Sequence, residues 1–160
     1  MLLTADRVVT GTEVHSPGWV EISDDAITAV GSGAGPRAVD AAQGDVALGA
    51  VTVVPGFVDM HTHGGGSGAF PDATEDGSRA AVALHRRHGT TTLVASLVSA
   101  HPAELLREAA VLGEQVQAGL IAGIHLEGPW LSPMRCGAHE PSALRSPELA
   151  EVERVFAAAK

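Results

Sequence analysis

Val53-Val54-Pro55-Gly56-Phe57-Val58-Asp59-Met60-His61-Thr62-His63-Gly64-Gly65-Gly66 is the stretch on which the reading of this chain turns. An apolar run of the buried-strand type ends in two imidazoles separated by one residue. Side chains alternate along a strand, so residues i and i+2 share a face and both rings can reach one point in space. Neutral imidazole nitrogen is a common ligand for zinc and other first-row metals. The three glycines that follow put no side chains beside the pair, leaving room for a ligand. The competing reading is two surface histidines in a loop.

A second segment has the same grammar. Leu120-Ile121-Ala122-Gly123-Ile124-His125-Leu126-Glu127-Gly128-Pro129-Trp130 is an apolar strand, then a ligand-type side chain, then Gly-Pro. Glu127 falls where the apolar run stops. Two strands that each finish in metal-ligand residues, with helical sequence between them, predict a parallel α/β sheet with one site at its carboxyl edge.

The string Pro55-Gly56-Phe57-Val58-Asp59-Met60-His61-Thr62-His63-Gly64 resembles the first barrel strand of the amidohydrolase superfamily. His125-Leu126-Glu127-Gly128-Pro129-Trp130-Leu131-Ser132, followed by Gly137-Ala138-His139, is narrower and resembles the third-strand signature of the N-acetylglucosamine-6-phosphate deacetylase family. The resemblance covers the N-terminal part of such an enzyme. It implies the first part of a (β/α)8 TIM-barrel metal-dependent hydrolase preceded by a small β-sandwich portion. The divisions expected are 1–54 for the sandwich portion and 55–160 for the first three βα units of an incomplete barrel.

Length and composition agree with one sizeable core. The chain has 160 residues, 45% hydrophobic and 18% charged, an ordinary globular mix; a whole (β/α)8 barrel typically takes roughly 250 residues. The net charge is −9, and no basic cluster is present, which excludes the usual footprint of a nucleic-acid or anionic-membrane partner. Cys136 is the only cysteine, so no intrachain disulfide can form, in keeping with a cytoplasmic location. It reads as a nucleophile beside Arg135 or as a plain loop side chain. No stretch has the form of a signal peptide or approaches the ~20 apolar residues of a membrane span.

Residues 1–54 read as a small antiparallel β unit. Leu2–Thr10 is a first strand, Gly18–Ile22 and Ala26–Val30 form a hairpin about Asp24-Asp25, Gly31–Pro36 is a loop, and Val46–Val54 is a further strand. Beyond Pro55, strands and helices alternate. A helix over 76–88 carries Ala80, Ala81, Leu84 and His88 at i, i+3, i+4 spacing, with Gly89 as its stop. Thr90–Val98 is β-branched and reads as a strand. Pro102 opens a helix to about Ala118, closed by Gly119. A strand over 120–127 and a long loop over 128–145 follow. Ser146 with Pro147 starts the last helix.

Amide hydrolysis needs an activated water, an electrophile and an acid for the leaving amine, and a metal can supply the first two. The resemblance places one metal on His61, His63 and Glu127, and a second that would share Glu127 with two histidines from later strands. One or two divalent ions are therefore expected: zinc foremost, with iron, manganese or cobalt compatible with the donors. It also implies that Ala138 and His139 touch the amino-sugar substrate, that the general acid–base aspartate comes after Lys160, and that the intact enzyme is a homodimer. Asp59 and His125 share the strand parity of the ligand residues. Asp59 either orients a ligand imidazole or is a buried carboxylate satisfied by backbone N–H groups, whereas His125 reads as a supporting residue. His15, His85, His88 and His101 read as structural or solvent-facing. The expected activity is deacetylation of N-acetylglucosamine 6-phosphate, a small-molecule amino-sugar phosphate, to glucosamine 6-phosphate and acetate. The rivals are a dihydroorotase- or dipeptidase-like amidohydrolase, or a truncated fragment without turnover.

Overall fold

A computed structural model describes residues 1–160. The chain divides into two compact units, Met1–Pro55 and Gly56–Lys160.

The first unit holds seven short strands: β1 (Leu2–Ala5), β2 (Arg7–Val9), β3 (Val14–His15), β4 (Gly18–Ser23), β5 (Ala26–Ser32), β6 (Val46–Ala47) and β7 (Thr52–Val53). They form a four-stranded sheet in the order β5-β4-β1-β6 and a three-stranded sheet in the order β3-β2-β7. The hairpin β4–β5 turns at Asp24, whose φ of 55° is one that a short acidic side chain tolerates. Leu2–Thr10 is not one strand: it breaks at Asp6, and its halves enter different sheets. Val46–Val54 breaks in the same way, because β6 runs parallel to β1 and β7 runs parallel to β2. The unit is therefore mixed rather than antiparallel. Ala5, Val8 and Val20 form its small core. Asp45 ties the first strand down, accepting from the Leu2 N–H at 2.6 Å and the Asp40 N–H at 3.0 Å and pairing with Arg37. The Arg37 hydrogen bond and the Asp40 N–H hold its carboxyl well below the ordinary range.

The second unit alternates strand and helix: β8 (Phe57–Thr62), a two-residue-per-strand hairpin of β9 (Gly64–Gly65) and β10 (Gly68–Ala69), α1 (Glu75–Arg87), β11 (Thr90–Leu97), α2 (Pro102–Gln117), β12 (Gly123–Leu126) and α3 (Leu149–Ala158). The main sheet is parallel, in the order β12-β11-β8. Leu93, Ala95 and Leu97 of β11 pack with Ala81 and Val82 of α1, Leu105, Ala109 and Leu112 of α2, and Val155 of α3. Each fully buried leucine contributes roughly 1.5–3 kcal/mol.

Local sequence explains most boundaries. The Thr74 side chain caps α1 by accepting from the Gly77 N–H. Glu75 and Asp76 occupy its first turn and Arg86 and Arg87 its last, complementing the helix dipole. Gly89 at φ 98° and Gly119 at φ 71° follow the ends of α1 and α2, as C-terminal glycines do. The buried face of α1 is Ser78, Ala81 and Val82; His88 is exposed and instead donates through Nδ1 to the Leu84 carbonyl at 2.9 Å. The third strand is shorter than 120–127, because Leu120–Ala122 make the turn that leads into it. The last helix starts at Leu149 with Glu148 as its cap, not at Ser146. Arg145 holds the preceding segment extended by donating to Glu151 in the first turn of α3 and to the carbonyls of Ala100 and Ala143. The apolar run before the histidines is not buried. Val58 and Met60 are 62% and 70% exposed, because β8 lies at a sheet edge and no element of this unit covers that side.

Glu108 is an anomaly in the helical layer. It is 2% exposed, its Oε2 has no hydrogen-bond partner, and Arg107 Nη2 lies 3.9 Å from its Oε1. Burial, reinforced by Glu104 and Asp72 and opposed by Arg107, pushes its pKa from 4.5 up to about 7. The folded state thus binds this proton more tightly than the unfolded state does. Stability falls as pH rises from 4.5 and the cost is complete above about pH 7. At 1.36 kcal/mol per unit the cost is on the order of 3 kcal/mol. Denaturant melts of Glu108→Gln should show a gain of roughly 1–3 kcal/mol at pH 8 that vanishes near pH 4.5; an equal effect at both pH values would refute this account.

Candidate metal centre

The carboxyl edge of the parallel sheet brings together the residues that the sequence singled out. Along β8 the pairing with β11 slips: Asp59 lies opposite Leu93, but Thr62 lies opposite Ala95. Three steps on β8 therefore match two on β11, which is a β-bulge. Bulges re-aim side chains and are common beside active sites. This one places Asp59 and Thr62 on the α1 side. Asp59 Oδ1 accepts from the His61 N–H at 3.1 Å, and its Oδ2 is 4.0 Å from His85 Nδ1. Strand parity predicted that Asp59 would stand with the two histidines; the bulge breaks that parity, and Asp59 serves the backbone instead.

His61 and His63 turn the other way and meet Glu127, one residue beyond β12. His61 Nε2 is 3.2 Å from His63 Nε2 and 3.0 Å from Glu127 Oε2, and His63 Nε2 is 2.8 Å from the same oxygen. These are the three residues of the chain grouped closely enough to hold a metal ion. Bonds of roughly 2.0–2.2 Å to one ion put neighbouring ligand atoms about 3–3.5 Å apart, and the observed 2.8–3.2 Å lies at the short end of that spacing, within a few tenths of an ångström. The tautomer agrees. His63 donates through Nδ1 to the Ser96 carbonyl at 3.0 Å, so in the neutral ring Nε2 is a bare lone pair pointing at a carboxylate. Two acceptors at 2.8 Å require a cation or a proton between them. Burial raises the Glu127 carboxyl, but the hydrogen bonds to His61 and His63, the charge of His61 and the contact with His139 outweigh it and leave the group below its ordinary value.

A cavity of about 700 Å³ opens beside the cluster, lined by His63, Glu127, Arg135, Ala138 and His139 among others. Ala138 and His139 thus line the cavity beside the cluster. Cys136 is half-buried in the same wall. Sequence reasoning gave Arg135 no part of its own, yet it is the one arginine or lysine of the lining. It also missed Ser96 and Ser99, small hydroxyls that carry no motif. Ser96 Oγ is 3.0 Å from His125 Nδ1, and the His125 ring stacks edge-on to His61 with centroids 4.9 Å apart, so His125 supports a ligand ring without joining the cluster.

Of the four histidines read as structural or solvent-facing, His15 contacts Ser32 and His101 precedes α2 without a capping side-chain bond. His85 adjoins the centre, donating through Nε2 to the Gly64 carbonyl at 3.1 Å. The glycines after His63 have a different use from the ligand access expected of them. A Cβ on Gly68 would lie 1.9 Å from the Gly77 carbonyl oxygen, and one on Gly65 would lie 2.7 Å from a Leu84 methyl. They let the β9–β10 hairpin lie directly on α1.

Residues 52–159 match the Amidohydrolase family. The chain belongs to that family. Its members are metal-dependent, in keeping with the His-His-Glu cluster. Within the amidohydrolases, the chain is similar to N-acetylglucosamine-6-phosphate deacetylases. The solved deacetylase of Mycobacterium smegmatis is 60% identical with a TM-score of 0.94, the match covering 99% of this chain and 41% of that one; a variant of that enzyme has been solved with N-acetyl-D-glucosamine-6-phosphate. The N-acetylglucosamine-6-phosphate deacetylase of Vibrio furnissii is 30% identical over 154 residues, 93% of this chain and 38% of the relative. The N-acetylgalactosamine-6-phosphate deacetylase of Escherichia coli O157:H7 is also 30% identical, over 168 residues, 98% of this chain and 40% of the relative. The chain spans about two fifths of the length of these relatives. No helix is long and apolar enough to cross a membrane.

Proposed function

We propose that the chain supplies the first metal-binding part of a deacetylase that hydrolyses N-acetylglucosamine 6-phosphate to glucosamine 6-phosphate and acetate. The observation that carries this reading is the convergence of His61, His63 and Glu127 at 2.8–3.2 Å on one edge of a parallel sheet, beside a cavity walled by Ala138 and His139. On this reading Gly56–Lys160 is the first three βα units of a (β/α)8 barrel and the preceding strands are part of a β-sandwich.

His61 and His63 donate nitrogen and Glu127 oxygen to a divalent ion, with zinc first among the candidates. Such an ion supplies Lewis acidity that activates water and polarises the amide carbonyl. The Ser96 carbonyl fixes the His63 ring so that Nε2 faces the cluster, and the His125 ring buttresses His61. Ala138 and His139 shape the cavity for the acetamido sugar.

A chimera tests this reading. Residues 1–160 would replace the matching segment of the Mycobacterium smegmatis enzyme, and acetate release would be followed from the 6-phosphates of N-acetylglucosamine and N-acetylgalactosamine and, as a control, ring opening of dihydroorotate. Turnover of the first substrate, abolished by His63→Ala, is the expected result. A well-folded chimera that prefers the galactosamine epimer, or acts only on dihydroorotate, would refute it.

A further inference from the structure

We propose that Ser99 is a positioning residue: it fixes the His139 imidazole with its proton on Nε2, so that this N–H is aimed at Glu127. The inference rests on the reading of His61, His63 and Glu127 as metal ligands, and adds to it a residue that no motif marks.

Ser99 lies two residues beyond the end of β11 and is 8% exposed. Its backbone N–H is 3.2 Å from His139 Nδ1, and its Oγ is 2.8 Å from the same nitrogen. A peptide N–H can only donate, so Nδ1 must present its lone pair there. The hydroxyl then has to donate as well, since Nδ1 carries no hydrogen to give. An imidazole with a lone pair on Nδ1 carries its proton on Nε2. His139 Nε2 lies 3.6 Å from Glu127 Oε1, while the other carboxylate oxygen, Oε2, is the one shared by His61 and His63. Each carboxylate oxygen thus has its own neighbour: Oε2 faces the ligand nitrogens, and Oε1 faces the Nε2 N–H at 3.6 Å, beyond hydrogen-bond length but near enough for the N–H dipole to favour the charged carboxylate.

Packing keeps the serine hydroxyl in place. Gly128, with φ at 102°, follows the ligand directly, and a Cβ there would lie 2.3 Å from Ser99 Oγ. The hydroxyl occupies the space that the absent side chain leaves. The His139 backbone N–H also bonds to the Cys136 carbonyl at 3.1 Å, so the ring sits on a turn that is itself tied. Were Nδ1 to carry the proton, the Nε2 lone pair would face the carboxylate and Glu127 would lose that support. Groups that orient and polarise metal ligands from behind are typically worth 10–100-fold in metal affinity, and a contact longer than a hydrogen bond belongs at the low end.

The test has two readouts, neither of which is turnover. Nitrogen-15 spectra of the zinc-free 160-residue chain report which His139 nitrogen carries hydrogen. A protonated Nε2 with a bare Nδ1 is expected; a protonated Nδ1 overturns the proposal without any variant being made. Zinc affinity is then measured by indicator competition. Ser99→Ala should raise the dissociation constant roughly tenfold and shift the His139 Nδ1 signal as the hydroxyl bond is lost, the peptide N–H still holding the tautomer, and Ser99→Thr, which keeps the hydroxyl, should restore both. Unchanged zinc affinity and unchanged His139 signals in Ser99→Ala would overturn the proposal and leave the metal-ligand reading standing. Absence of zinc binding by the parent would instead remove the metal-ligand reading, while the spectrum still decides the tautomer. Should Ser99→Ala fail to fold by circular dichroism, the parent spectrum and the threonine variant decide.

Discussion

Zinc binding by this chain is expected to weaken roughly 100-fold or more when His63 is replaced by alanine. Four-ligand structural zinc sites bind with about 10–16 kcal/mol, so one ligand is worth on the order of 3 kcal/mol, about two powers of ten. His63 is the strongest choice for removal because its geometry is the most constrained. Its Nδ1 is committed to the Ser96 carbonyl and its Nε2 stands 2.8 Å from Glu127 Oε2. Glu127→Gln should do comparable damage, since it removes the negative charge and the acceptor on which both imidazoles converge. His88→Ala is the control: that ring is exposed and capped onto the end of α1. Calorimetric or indicator titrations that find His63→Ala and His88→Ala equally tight would show that zinc binds elsewhere.

Residues 1–160 by themselves, with zinc added, are expected to release no acetate from N-acetylglucosamine 6-phosphate above background. The carboxylates and imidazoles around the cluster are already engaged. His61, His63 and Glu127 face one another, Asp59 is turned toward α1, and His139 is anchored on Ser99. Glu140 reaches the cavity wall, but its carboxylate caps the Ser142 N–H at 3.1 Å. None of these carboxylates and imidazoles is left to carry the proton to the leaving amine. General acid–base help is typically worth 10²–10⁴-fold, and the family resemblance assigns it to an aspartate on a later strand. The sheet also has β8 and β12 at its edges, and exposed edges invite association. Turnover by material whose intact mass matches this sequence would overturn the expectation, and its dependence on protein concentration would reveal whether association completes the site.

The sequence by itself determined the alternation of the three parallel strands and three helices in Gly56–Lys160, though not the β9–β10 hairpin, and the three residues of the cluster. Those signals are local. Apolar runs, caps and stop glycines set α1, α2 and β11, and the His-x-His spacing puts two rings on one face because the bulge falls before the pair and not within it. Arrival of Glu127 at the same edge follows from parallel topology, which the alternation of strand and helix already implies. Tertiary structure decided the rest. The bulge between Asp59 and Thr62 arises from pairing with β11, and no pattern within β8 announces it, so the face expected for Asp59 was wrong, while its bond to a backbone N–H is one of the two roles expected of it. The breaks at Asp6 and at Leu48–Val51 arise because two sheets share two chain segments, a non-local condition invisible to periodicity. Arg145 delays α3 through carbonyls 45 residues and 2 residues away in sequence, and Ser99 meets His139 across 40 residues. A lone serine carries no spacing signature. Its meaning exists only where folding brings an amide, a hydroxyl and an imidazole nitrogen within 3.2 Å.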